Sequence, residues 1–168
     1  MKDSIINKFK KDLENKKIAI WGLGKEGIST LQFIKNNNIS CKEIAVLEQK
    51  DANIEGIKKL NSQKQLNEYD LIFKSPGIVV DKNVIDTNKL TSQTEEFIKI
   101  LSKQIIGITG TKGKSTTSSL TYTILKQFFP NTILVGNIGI PCFNAINEID
   151  ENTNIIFELS CHQLEFIK

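Results

Sequence analysis

Short apolar runs, each stopping at a glycine, a proline or an acid, constrain this chain more than any other feature. Residues 18–21 run into Gly22, residues 44–47 into Glu48, and residues 71–73 towards Ser75-Pro76-Gly77. Helical patterns separate them. Ile28, Leu31, Phe33 and Ile34 recur at helical spacing and stop at Asn36-Asn37-Asn38, and a weaker pattern carries Ile54, Ile57 and Leu60. Residues 1–16 read as an amphipathic lead-in with Ile5, Ile6, Phe9 and Leu13 on one side and a solvated, Lys-rich face on the other. Strands that alternate with helices predict βαβ units and a parallel sheet. Ligands of such sheets sit at the carboxyl ends of the strands, so these loops should line one edge.

The pattern restarts near residue 93. Residues 95–101 read as a connecting helix, and a strand over 104–108 enters Thr109-Gly110-Thr111-Lys112-Gly113-Lys114-Ser115-Thr116. A helix follows to Phe129 and stops at Pro130, with further strands at 133–135 and 155–159. No linker or repeat intervenes. The expectation is an α/β chain. A Rossmann-like parallel-sheet domain spans residues 1–92, and an incomplete P-loop-type α/β domain follows directly at 93–168.

Composition narrows the chemistry. With 168 residues, 39% hydrophobic and 24% charged, the chain is ordinary globular material. A formal net charge of +3 with interspersed signs is no nucleic-acid footprint. All 22 basic residues are Lys, so any anion site must use ammonium groups, backbone N–H groups or helix N-termini, never a guanidinium fork. No apolar stretch nears the ~18 residues that span a bilayer, and the start lacks a signal-peptide core. Cys41, Cys142 and Cys161 are odd in number and form no CxxC pair, which fits a reduced cytoplasmic compartment. Cys142 and Cys161 read as small buried fillers, His162 as a structural histidine, and Trp21 as packing at the end of its strand.

Three motifs carry chemistry. In residues 109–116, Gly110 and Gly113 let the backbone turn its N–H groups towards phosphate oxygens, and the following helix points its positive end at the same place. Lys114 adds a point charge for the β and γ phosphates, and Ser115 a hydroxyl for a Mg²⁺ shell. The general phosphate-loop pattern asks for glycine at 108, where this chain has Ile108. Next, Gly22-Leu23-Gly24-Lys25-Glu26-Gly27 follows the first strand and Glu48 ends the second. That is the spacing of a dinucleotide fingerprint, and equally of a tight turn with no ligand. Last, Glu158 ends a strand beside the phosphate loop, where an acid can hold Mg²⁺.

Together these residues resemble the Mur ligases of bacterial cell-wall (peptidoglycan) synthesis. Residues 109–116 resemble that family's phosphate loop, which explains the missing glycine at 108. Gly136-Asn137-Ile138-Gly139 and Glu158-Leu159-Ser160-Cys161-His162-Gln163-Leu164-Glu165 resemble its central-domain segments, and Gly22-Leu23-Gly24 and Ser75-Pro76-Gly77-Ile78 its first-domain loops. The resemblance implies an ATP-dependent ligase. By that resemblance the γ-phosphate of ATP would pass to the terminal carboxylate of UDP-N-acetylmuramoyl-L-alanine, and the amine of D-glutamate would attack the acyl phosphate. By the same resemblance Gly110, Thr111, Lys112, Gly113, Lys114, Ser115 and Thr116 would hold ATP. Lys114 and Glu158 would be catalytic, and Ser115 and Glu158 would hold Mg²⁺. Asn137, Ser160 and Gln163 would touch the muramoyl substrate. Gly24, Lys25, Glu26, Glu48, Gln49, Lys50, Ser75, Pro76 and Gly77 would bind the uridine diphosphate. Lys112 stands where the family commonly has Asn, Lys50 where a relative uses Arg, and Cys161 and His162 depart from the commonest signature.

The family has three domains, and the resemblance covers the first and the opening of the second. The expectation is therefore a fragment that is not a competent ligase alone, with an unfinished sheet whose apolar edge favours self-association. Two other classes remain at this point. A non-catalytic nucleotide-sugar binding module would share both loops. An NAD-dependent oxidoreductase would place a substrate domain with a catalytic histidine after the first unit, where a phosphate loop follows instead.

Overall fold

The computed structural model describes residues 2–48 and 54–167. The chain forms two units, one of residues 10–93 and one of residues 94 onward together with the first part of the N-terminal helix.

In the first unit the elements run from α1 (Lys2–Leu13), which begins in the other unit, through β1 (Lys17–Trp21), α2 (Lys25–Asn36), β2 (Glu43–Leu47), β3 (Lys58–Leu60) and β4 (Leu71–Lys74) to β5 (Leu90–Thr91). All strands pair in parallel in the order β3-β2-β1-β4-β5. The chain builds outward from β1 to β3 and then crosses to the other side, so the reversal of direction lies at β1 and β4. A cleft for a ligand opens at the carboxyl ends beside such a reversal. The central strands are apolar on both faces, with Ile18, Ala19, Ile20, Ala45 and Ile72 all buried, as expected for strands covered on both sides. Helix α2 stops where Asn37 caps it and Asn38 takes a positive φ of 50°.

One expectation fails here. Residues 54–60 are not helical: Gly56 sits at φ 74°, and β3 follows, pairing Lys58, Lys59 and Leu60 with Ala45, Val46 and Leu47. Only Leu60 of this segment is buried. A left-handed glycine ends helical continuation, and an edge strand needs just one inward side chain here. Strand β5 also went unread, being two residues long.

The second unit contains α3 (Gln93–Leu101), β6 (Ile105–Ile108), α4 (Lys114–Phe128), β7 (Thr132–Gly136), α5 (Cys142–Ala145), β8 (Asn154–Glu158) and α6 (Cys161–Leu164). Its sheet is parallel in the order β6-β8-β7. Strand β8 is central and apolar between Asn154 and Glu158, with Ile155, Ile156 and Phe157 fully buried. The start of α1 joins this core through an aromatic chain. Phe9 meets Phe97 at 6.5 Å and Phe143 at 5.5 Å between ring centroids, and Phe97 meets Phe157 edge-on at 5.5 Å. Part of the unit is left uncovered: Ile106 on β6 and Leu120, Ile124 and Phe128, one helical turn apart along α4, are exposed. Cys142 is buried as expected, but Cys161 and His162 are exposed. Helix α6 turns them outward while its Gln163 points inward.

Candidate functional site

In the first unit a cleft of about 840 Å³ opens at the carboxyl ends of the strands. Gly22, Gly24 and Gly77 line it. Gly27 in α2 packs so closely on the β1 turn that a Cβ there would strike the carbonyl oxygen of Gly22. Only glycine lets the helix approach, which is the role of the last glycine in this fingerprint. Ser75 ties the other side of the cleft to the same turn. Its Oγ donates to Gly22 O at 3.0 Å and its N–H to Trp21 O at 3.0 Å.

Glu48 ends β2 as the sequence predicts. Its Oε2 accepts the N–H of Leu23 at 2.6 Å, so this carboxylate holds the glycine turn itself. Of the predicted contacts, Gly24, Glu48, Ser75 and Gly77 line the cleft together. Lys25 is exposed on the first turn of α2. Glu26 borders a separate small cavity with Lys74, and the ammonium of Lys74, although buried, donates to Pro76 O at 3.2 Å. Gln49 and Lys50 lie outside the described residues.

The cleft has a wall that the sequence did not announce, formed by Lys59 of β3 and by Asn61, Ser62 and Gln63 after it. Gln65 builds this turn, accepting the N–H groups of Asn61 at 2.8 Å and Ser62 at 3.1 Å, while Ser62 Oγ accepts from Lys64 N. The signal was present as Ser62 with Gln65 three residues on, a capping box.

In the second unit the glycine loop of residues 109–113 joins β6 to α4. Gly110 and Gly113 take φ values of 145° and 77°, and Gly113 caps α4 in the left-handed region. Fifteen helical residues follow it, so a substantial dipole end faces the loop. Lys114 curls back to donate to Gly110 O at 2.9 Å, while Thr111, Lys112 and Thr116 are exposed.

Glu158 closes the arrangement. It is opposite Ile108 of β6 and Gly136 of β7 in register, so the ends of all three strands meet at this carboxylate. Its Oε1 accepts from Asn137 Nδ2 at 2.8 Å and from Ser115 Oγ at 3.3 Å. Its Oε2 is buried with no hydrogen-bond partner among the described residues. An uncompensated buried carboxylate oxygen costs several kcal/mol, and such sites are completed by a cation or water. Gly136, at φ 110°, brings β7 so near that a Cβ would strike Glu158 O and the Phe157 ring. Ser160 and Gln163 cap each other across α6. Ser160 Oγ accepts Gln163 N at 3.3 Å and Gln163 Oε1 accepts Ser160 N at 2.9 Å. The structure therefore brings Ser115, Asn137 and Glu158 to one place, leaves the Lys114 ammonium on Gly110 O, and gives Ser160 and Gln163 a structural bond to each other.

Comparison with known proteins identifies relatives of the chain. The UDP-N-acetylmuramoylalanine–D-glutamate ligase of Clostridium tetani is 35% identical over 179 aligned residues, which take in 96% of this chain and 39% of that protein. Ligases of the same name from Clostridium novyi and Clostridium botulinum are 34% identical, also over 96% of this chain. The chain is a homologue of UDP-N-acetylmuramoylalanine–D-glutamate ligases. It spans about 39% of the length of these ligases. No protein-family model matches it. Among the described residues of this ligase homologue, no helix is long and apolar enough to cross a membrane. No group of three acidic, histidine or cysteine side chains is placed among them to cage a metal.

Proposed function

We propose that this chain is the nucleotide-binding part of an ATP-dependent amide ligase of cytoplasmic peptidoglycan synthesis, one that joins D-glutamate to UDP-N-acetylmuramoyl-L-alanine. The observation that carries the proposal is a homology that runs through both strand-end sites at once. The first unit would bind the uridine diphosphate in its cleft, and the second would bind ATP at residues 110–116. As functional modules these correspond to residues 1–92 and 93–168.

The residues fit Mg²⁺. A buried, unpaired Oε2 on Glu158 beside the Ser115 hydroxyl is an oxygen donor set. A single carboxylate also suits an ion that keeps waters and phosphate oxygens as its other ligands. Ser115 and Glu158 would hold it, and when bound it would neutralise charge on the phosphate oxygens.

This chain's own residues do the rest. Lys114 leaves Gly110 O for the transferring phosphoryl group and stabilises the charge that develops there. The N–H groups of the loop and of the first turn of α4 hold the remaining phosphate oxygens. Transfer places the phosphoryl on the substrate carboxylate, and the acyl phosphate then loses phosphate as the D-glutamate amine forms the amide. By the family resemblance Asn137, Ser160 and Gln163 would contact the muramoyl substrate near that carboxylate.

Thermal unfolding with each ligand separately tests the proposal. UDP-N-acetylmuramoyl-L-alanine and Mg-ATP should each raise the unfolding temperature, and NAD should not. At 100 times the dissociation constant the gain is about 2.7 kcal/mol, or roughly 5–10 °C. A shift with NAD alone would overturn the reading. For the isolated chain, phosphate release dependent on D-glutamate is not expected.

A further inference from the structure

We infer that Asn137 is a positioning residue for the cation site: its amide commits Oε1 of Glu158 to the protein and so leaves Oε2 as the oxygen that meets the cation. The inference rests on the Mg²⁺ reading above and goes beyond it by naming the group that decides which carboxylate oxygen is used.

The geometry is specific. Asn137 is tied to Glu158 twice, by its N–H to Glu158 O at 3.0 Å and by its Nδ2 to Oε1 at 2.8 Å. The main-chain bond fixes where the side chain begins, and the side-chain bond fixes the carboxylate plane. The backbone is shaped to allow this. Gly136 lies against Glu158 O and the Phe157 ring with no room for a side chain, and its N–H donates to Ile140 O at 3.0 Å, closing the turn after β7. Ser115 also reaches Oε1, but at 3.3 Å. Its hydroxyl is the group offered to the same cation, so it cannot be the permanent anchor. Asn137 can, because an amide donor has no competing role as a cation ligand through its nitrogen. Oε2 is left buried and unpaired. Partners of this kind behind a ligand hold its orientation and typically alter metal affinity by 10–100-fold.

The test is an electron paramagnetic resonance titration of Mn²⁺ into the chain with a non-hydrolysable ATP analogue. The same analogue is titrated separately in EDTA. Asn137→Ala is expected to weaken Mn²⁺ by about 10-fold while leaving metal-free analogue affinity within about twofold, a split that general damage to the loop would not produce. Asn137→Leu keeps the branching at Cγ without the amide and should do the same if the alanine variant does not fold. Asn137→Gln keeps the amide and should recover part of the affinity. Glu158→Gln serves as the reference. If it weakens Mn²⁺ and neither Asn137 variant does, the positioning role is overturned and the cation reading stands. Equal loss of Mn²⁺ and of metal-free analogue in the Asn137 variants also overturns it. If Glu158→Gln changes nothing, or the chain takes up no Mn²⁺, the cation reading itself fails and this inference fails with it.

Discussion

Glu48 and Glu158 occupy the same place in two parallel sheets, each the acid at the carboxyl end of a strand beside a glycine turn. Their uses differ. Glu48 spends Oε2 on the N–H of Leu23, inside its own loop, at 2.6 Å. Glu158 gives Oε1 to Asn137 and Ser115 and keeps Oε2 buried without a hydrogen bond. The first carboxylate holds its own turn together. In the proposed reading the second would itself be the contact to a cation. Position at a strand end thus does not tell a loop-holding acid from a ligand-holding one; the supply of local donors does.

The sharpest way to break the comparison is to move the turns that set each acid in place. Gly136→Ala should destabilise the second unit by about 3 kcal/mol or more, since its Cβ meets backbone and ring at φ 110°. Gly27→Ala should cost about 2–3 kcal/mol in the first unit through the Gly22 carbonyl. Gly24→Ala, with nothing within 4 Å of the added methyl, should cost under about 1 kcal/mol. Urea unfolding of the three variants ranks them. An equal response would show that the two turns are not close-packed as described.

Next in size is the loss of Lys114. Its own bond to Gly110 O is exposed, so Lys114→Ala should leave stability within about 0.5 kcal/mol. Fluorescent ATP-analogue binding should weaken by roughly 10- to 100-fold, the range of a charge-assisted contact to phosphate.

The two acids themselves sharpen the contrast. Glu48→Gln should destabilise by about 1 kcal/mol, because a charged acceptor becomes a neutral one at a 2.6 Å bond. Glu158→Gln should leave ligand-free stability unchanged or raise it, since Oε1 keeps its acceptor role and a costly unpaired buried charge disappears. Thermal unfolding of the two without ligand should therefore separate them in the direction opposite to their effect on cation binding.

The smallest effect is at the far end of the first sheet. The Tyr69 hydroxyl, and then Lys58, hold the carboxyl of Glu43 below its usual range. A lowered folded-state value means stability that is present above the ordinary carboxylate pKa of about 4.3 and lost as pH falls through the lowered one. Glu43→Gln should flatten the acid limb of a stability–pH curve by slightly lowering stability at neutral pH while leaving it unchanged in acid, below both pKa values.

The elements that position both sites were legible because they are buried on two faces or bounded by glycine. Residues 18–21, 71–73 and 155–159 read as strands for that reason, and the turn at 109–116 as a strand-to-helix loop. What stayed hidden depends on partners distant in sequence. The edge strand at 58–60 has one inward side chain and no period to detect. The bonds of Glu48 to Leu23 and of Asn137 to Glu158 join residues 25 and 21 apart. The wall at 61–63 was masked by reading its neighbours as helix, although Ser62 and Gln65 carried the capping signal. Phe9 read as one face of a lead-in helix, and nothing local said that its neighbours would be Phe97 and Phe143.

The most direct test of the claim that these two acids divide their labour is an anomalous difference map. Crystals of the chain would be grown with Mn²⁺ and a non-hydrolysable ATP analogue. The account predicts a manganese peak against Oε2 of Glu158 and Oγ of Ser115, with none at Glu48. A peak at Glu48, or manganese bound only by the analogue away from Glu158, would contradict it.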